Sequence, residues 1–224
     1  MVSETLTGLE YLPRPIIDYL RRSVHERPKI PHVYHVTELL YCLRKAYYRR
    51  KFPDGNYSLK SLWNIHRGST FDGQWSPLFE VNQETFTVHR GGVTIQGTFD
   101  FLWVDQDEPV LYDLKMPAST YYKKQSGAGP FYVRQVQAYL AMAHANGEYL
   151  DVHRGRILML AEDLVIEEVA EDAEILDYLW SRAFKLDHAL SAEDPSTLMG
   201  PEESWECSKD YCESSEDFRR EYCQ

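Results

Sequence analysis

Long apolar runs are missing from this 224-residue chain. No stretch approaches the ~18 uninterrupted apolar residues that a bilayer-crossing helix needs, and the longest helical candidates carry charges every few positions, so a helical span is excluded. The opening Met-Val-Ser-Glu-Thr lacks the basic end and apolar run of a secretory signal, which makes the cytoplasm the expected compartment. Glycine and proline are sparse at 12 and 11 residues, and there is neither an internal repeat nor a low-complexity tract, so a fibrous or disordered chain is excluded. Excess positive charge is also lacking: 24 Lys and Arg against 35 Asp and Glu give a formal charge of −11, which argues against a surface that attracts nucleic acid everywhere. Only four cysteines occur and none forms a Cys-x-x-Cys pair, so a zinc ribbon does not fit. In a reducing compartment, metal binding or plain burial outweighs a disulfide as their role.

What is present points to one ordinary globular domain, with 43 % hydrophobic and 13 % aromatic residues to build a core. Charge is distributed unevenly: residues 1–60 sum to +5 and the remainder to −16. Arg44, Lys45, Arg49, Arg50 and Lys51 interleave with Tyr47 and Tyr48, a pattern suited to phosphate contact beside base stacking, or to a solvated helix face. Thr37 is a plausible N-cap for a helix over 38–50, and a second helix is expected over 62–78. The period then changes to two. Strands are expected over 84–90, 93–104 and 110–116, with Gly91-Gly92 marking a hairpin. A helix over 131–146, strands over 155–160 and 164–169, and an amphipathic helix carrying Leu176, Leu179, Trp180, Ala183 and Phe184 complete the pattern. Strands enclosed by helices predict an α/β fold: a mixed β-sheet flanked by helices, with a helical N-terminal region over about 1–80 and a cysteine-bearing tail over about 195–224.

The sharpest chemical grouping is Asp100 on the second strand with Asp113 and Lys115 on the third. Residues two apart on a strand share a face, so Asp113 and Lys115 project together, and pairing of the two strands would bring Asp100 beside them. Two carboxylates suit a hard divalent cation, and an ammonium next to them can balance charge developing on a phosphate; this is the chemistry of phosphodiester hydrolysis. The plainer reading is a same-face ion pair, but a carboxylate within an otherwise apolar strand is costly without a purpose. Downstream, Gln135 and Tyr139 lie i, i+4 on a helix and can face one cleft, with Lys123, Lys124 and Arg134 adding positive charge. Cys42 stands alone, whereas Cys207, Cys212 and Cys223 cluster near the end. One distant and three grouped thiolates can form a four-sulfur site for iron–sulfur or zinc if the tail folds back, closing a long loop.

Asp100, Asp113-Leu114-Lys115 and Gln135-Val136-Gln137-Ala138-Tyr139 resemble motifs II and III and the Gln-x-x-x-Tyr motif of the RecB-like branch of the PD-(D/E)XK nuclease superfamily, over roughly residues 34–224. The resemblance implies a divalent-metal-dependent DNA nuclease using Mn2+ or Mg2+, with Asp100 and Asp113 as metal ligands, Lys115 as the catalytic lysine, and Gln135 and Tyr139 contacting DNA. Relatives carry a further histidine ligand after an Arg-Gly pair; here that position is Asp72, and His66, just before Arg67-Gly68, is the alternative. The cysteine arrangement, with the segment around Cys42, resembles the CRISPR-associated Cas-four family. That likeness implies an iron–sulfur cluster, [4Fe-4S] or [2Fe-2S], on Cys42, Cys207, Cys212 and Cys223, joining the N-terminal helices to the tail of a single domain spanning 1–224. It further implies an exonuclease on single-stranded DNA ends, 5′ to 3′ as in many relatives, in spacer acquisition with the integrase proteins Cas-one and Cas-two. A RecB-like repair nuclease and a non-catalytic iron–sulfur DNA-binding module are the alternatives.

Overall fold

Alternating side-chain direction builds the centre of the molecule, and helices precede and follow the strands in sequence. The computed structural model describes residues 8–9, 12–23, 29–51, 58–198 and 200–202. Along the chain run α1 (Arg14–Ser23), β1 (Val33–His35), α2 (Val36–Leu40), α3 (Leu43–Lys51) and α4 (Leu59–Trp75). A 3-10 turn then leads to β2 (Val81–Asn82), β3 (Thr85–Arg90), β4 (Val93–Thr98), β5 (Phe101–Asp105) and β6 (Glu108–Lys115). The rest comprises α5 (Lys123–Ser126), α6 (Pro130–Ala145), β7 (Arg154–Leu160), β8 (Leu164–Ala170) and α7 (Ile175–Ala192). Among the described residues, no helix is long and apolar enough to cross a membrane.

The α/β class is as the sequence predicts, but the strands divide into two sheets, ordered β1-β4-β3 and β2-β5-β6-β7-β8. Both are mixed, since β1 runs parallel to β4 and β6 parallel to β7 while their other neighbours are antiparallel. The single strand expected over 93–104 is therefore two, and Asp100 lies at the corner between them rather than on a strand. Tertiary contacts turn that corner. Phe99 is fully buried and stacks on Phe86 at 5.2 Å, Phe99 N donates to Glu84 O, and Gln83 N donates to Asp100 O. Alternation continues through the corner, so the period alone does not reveal it.

Helix α6 lies deep between the sheets and α7, burying Val136, Ala138, Leu140, Met142 and Ala143. Two glycines permit this approach. A Cβ on Gly155 of β7 would sit 2.2 Å from Val136 Cγ1, and one on Gly97 of β4 would sit 2.8 Å from Tyr139 Cε1. Close packing leaves no room for even one methyl group there.

The helix expected over 38–50 is broken into α2 and α3 by Tyr41, whose backbone is extended (φ −98°, ψ −173°). Its N-terminus is also earlier than Thr37: His35 is the cap, reciprocated by Glu38 in a capping box. The break is sustained from a distant part of the chain. Arg182 of α7, only 3 % exposed, donates from Nε to Leu39 O and from Nη2 to Tyr41 O (2.5 Å), and its Nη1 pairs with Glu202 at 2.9 Å. One guanidinium thus satisfies two carbonyls that the helix interruption orphans. Arg182→Met should lower unfolding free energy by about 2–4 kcal/mol in urea titrations, through loss of charge-assisted bonds to buried acceptors. A change within measurement error would show the break to be held by packing alone.

Candidate active site

The C-terminal end of β6 carries Asp113 and Lys115 on one face, and the β5–β6 pairing of Phe101 with Tyr112 brings the corner residue Asp100 alongside Asp113. Asp113 is 1 % exposed; its Oδ1 accepts from Gln135 Nε2 (3.2 Å), and it is in ion-pair contact with Lys115 Nζ. Asp100 Oδ2 accepts from the Leu114 backbone N–H (2.5 Å). From α4, Asp72 Oδ1 accepts from Ser76 Oγ (2.6 Å) and from Gln83 Nε2 (3.0 Å), and the same Gln83 amide donates to Asp100 Oδ1 (3.2 Å). Asp72, Asp100, Asp113, Lys115, Gln135 and Thr98 face a cleft of about 200 Å³.

Like charges held out of water dominate the electrostatics. Burial, reinforced by the Asp113 charge, pushes the Asp100 carboxyl up to about 7 against the partial relief of Lys115 and the Leu114 N–H. Burial raises Asp113 as well, despite the adjoining ammonium. For Lys115, burial favours the neutral amine but Asp113 and Asp100 outweigh it, so its pKa lies above the ordinary lysine value and it remains charged. The buried Tyr132 phenol is also raised, and its ring lies 5.3 Å from Lys115 Nζ.

Among the described residues, the cleft sets three carboxyl groups against the one ammonium of Lys115. Asp113 Oδ2 is sealed from solvent, and among the described residues no hydrogen bond of proper geometry reaches it, although the Lys115 ammonium is in contact. A hard divalent cation suits carboxylate donors. Asp72, Asp100 and Asp113 line the cleft, though their oxygens do not all lie within 4.8 Å of one another.

Between the two alternatives for the additional ligand, Asp72 faces the carboxylates. His66 lies about 120° away around α4 and packs edge-on against Tyr19 at 5.4 Å. Gln135 reaches the cleft, but Tyr139 does not share it: at 3 % exposure it sits behind Gln135, its Oη accepting from Gln135 Nε2 at 2.7 Å. Helix α6 is so enclosed that both positions turn inward, and only the nearer one meets the site. The basic residues scatter. Arg50 is turned inward, bonding Glu38 Oε1 and Oε2 at 2.8 Å each and lying over the Tyr34 ring at 4.3 Å, so it serves the fold rather than a surface. Arg44 donates to Leu198 O, Arg134 pairs with Glu202, and Lys124 is in ion-pair contact with Asp163. Lys123 donates to Ala128 O and lies 5.8 Å from the Tyr132 ring. Lys45 and Arg49 are half-buried on α3. Cys42 is buried, while Cys207, Cys212 and Cys223 lie outside the described residues.

Two site neighbours escape the sequence reading. Gln83, in a left-handed backbone conformation (φ 50°), bridges Asp72 and Asp100, and Tyr132 flanks Lys115. Neither has a spacing signal. The sole local hint for Gln83 is its place in a polar turn before β3.

Two mixed sheets backed by helices, with carboxylates and a lysine gathered at the end of a central strand, define an α/β domain of the nuclease class. A sequence profile of the PD-(D/E)XK nuclease superfamily matches residues 25–216, and the chain belongs to that superfamily. No curated protein matches it in sequence. The fold is similar to the crystal structure of SSO0001 (TM-score 0.59, 15 % identity, covering 88 % of this chain and 93 % of that one). It is also similar to the alkaline exonuclease LHK-Exo from Laribacter hongkongensis (TM-score 0.51, 12 % identity, covering 72 % and 89 %).

The raised Asp100 carboxyl has a consequence for stability. Folded Asp100 titrates near 7, against 3.8 for an ordinary aspartate, so between these values the folded state holds a proton that the unfolded chain has released. The group's contribution is intact at acid pH and is lost as pH rises through about 7. In EDTA at pH 8, Asp100→Asn should therefore melt roughly 5 °C above the unsubstituted protein, with a smaller difference at pH 5. Calorimetry at both pH values checks this; a pH-independent difference would contradict it.

Proposed function

We propose that the chain hydrolyses phosphodiester bonds of DNA as a divalent-metal-dependent exonuclease acting on single-stranded ends. The observation that carries this reading is the gathering of Asp72, Asp100, Asp113 and Lys115 around one small cleft. Mn2+ or Mg2+ held by the three carboxylates would polarise a phosphate oxygen and acidify water. Lys115, buried and charged, offers its ammonium to the negative charge that builds on phosphorus-bound oxygen, where low dielectric strengthens the interaction. Asp113 aims that ammonium, Gln135 fixes Asp113, and Tyr139 fixes Gln135. Gln83 ties Asp72 to Asp100, so the acids of α4 and the sheet corner keep one spacing.

For the DNA path we propose the larger cleft of about 540 Å³ lined by Tyr41, Lys123, Phe131 and Tyr132, whose Tyr132 ring lies 5.3 Å from Lys115 Nζ of the acidic cleft. The exposed Tyr121 and Tyr122 beside it offer faces for bases to stack on, and Lys123, Lys124 and, on α3, Lys45 and Arg49 offer charge to the backbone. The similarity to an enzyme described as an alkaline exonuclease supports action on ends. The residue resemblance to the Cas-four family supports 5′ to 3′ trimming during spacer acquisition with Cas-one and Cas-two, a RecB-like repair nuclease being the second reading. On the same ground Cys42, Cys207, Cys212 and Cys223 are proposed to hold an iron–sulfur cluster that staples the tail to α2 and α3 in a single domain.

With end-labelled single-stranded DNA and Mn2+, the protein should shorten the strand and EDTA should stop it. Asp113→Ala and Lys115→Ala should each reduce the rate by about 10²-fold or more; an unimpaired Asp113→Ala protein would refute the assignment. Cys207→Ser should lose the visible absorption of the freshly purified full chain, together with iron measured by elemental analysis. Equal absorption in both proteins would rule out the cluster.

A further inference from the structure

On the opposite end of α6 from the acidic cleft, three side chains with ligating chemistry meet: His144 in its last turn, His153 just before β7, and Glu171 just after β8. Nine residues of helix, about 13 Å, separate His144 from Gln135, so this cluster is distinct from the nuclease site. One nitrogen or oxygen from each residue lies within 4.8 Å of the other two. Glu171 Oε1 is 2.6 Å from His153 Nδ1 and 3.8 Å from His144 Nδ1. Donors around a tetrahedral zinc ion stand about 3.3 Å apart, given metal–ligand bonds of about 2.0–2.1 Å, so the observed separations bracket the required one.

A second feature marks His144 as prepared for a metal. Its Nε2 lies 2.9 Å from the carbonyl oxygen of the buried Val152, and a carbonyl only accepts, so Nε2 carries the hydrogen. In the neutral ring the lone pair is then on Nδ1, the nitrogen 3.8 Å from Glu171 Oε1. Fixing the tautomer of a metal-binding histidine through a backbone carbonyl on its other nitrogen is the outer-shell device that orients such ligands. His153 stands largely exposed, which gives an ion a route in.

We propose that His144, His153 and Glu171 form a structural site for a divalent d-block cation of the zinc type, with water completing the coordination. Two imidazoles and one carboxylate favour such an ion over Mg2+, which prefers oxygen donors throughout. The bound ion would tie the C-terminal end of α6 to the ends of β7 and β8, steadying the helix whose other half carries Gln135.

Calorimetric melting of the full chain with and without excess Zn2+ tests the site. Asp113→Asn is run in parallel to remove the acidic cleft as the source of any effect, and His153→Ala and Glu171→Gln to remove the proposed site. At zinc roughly a hundredfold above its dissociation constant, the unsubstituted protein and Asp113→Asn should both gain roughly 5–10 °C. His153→Ala and Glu171→Gln should lose most of that gain while melting normally in EDTA, and His153→Ala should still cut DNA with Mn2+ if the unsubstituted protein does. Equal zinc gains in the unsubstituted and His153→Ala proteins, or a gain abolished by Asp113→Asn, would overturn the site.

Discussion

The contact on which the site depends is the buried pair of Asp113 and Lys115 at the end of β6. An ammonium and a carboxylate taken out of water together are tolerable only when their remaining bonds are met, and here they are met unevenly. Gln135 supplies one donor to Asp113, while Asp100 and Asp72 add negative charge on the other side. The result is stable enough to fold around and too negative to be content without a cation or a proton. Much of the surrounding architecture brings Gln135, a neutral donor to Asp113, to its place. Gly155 lets α6 settle onto β7, Gly97 makes room for Tyr139, and Tyr139 in turn anchors the Gln135 amide.

Gln83 shows the same logic at the sheet corner. A non-glycine residue in the left-handed region carries a conformational cost, sustained only where the surroundings over-determine it. Gln83 is held by its backbone N–H on Asp100 O and by its side-chain amide on Asp72 and Asp100. The strain and the two carboxylates therefore belong to one device: the turn that changes sheets also sets the distance between acids from α4 and the corner.

Local pattern carried the chemistry further than it carried the geometry. Asp113 and Lys115 share a face because a strand has a period of two, and that much is readable from residues 110–116 alone. Placing Asp100 needed the pairing of β5 with β6, and assigning it to a corner needed Phe99, Glu84 and Gln83 together. The choice between His66 and Asp72 was open in one dimension because both lie on α4; only the helix's rotation against the sheet separates them. The interruption at Tyr41 was invisible for a different reason. Its cause, Arg182, lies on the last described helix, and no local propensity at 36–50 registers a guanidinium supplied from there.

That distant guanidinium also connects the two halves of the molecule to the cleft. Arg182 holds Tyr41 O, and the Tyr41 ring stacks on Phe131 at 4.9 Å, within the first turn of α6 and next to Tyr132. Tyr132 flanks both Lys115 and Lys123. A continuous run of packed groups thus passes from α7 through the α2–α3 break to the mouth of the acidic cleft. Charge at the far end of that run is balanced by Glu202, which pairs with both Arg182 and Arg134. Glu202 is thereby tied to the same frame that positions the lysine.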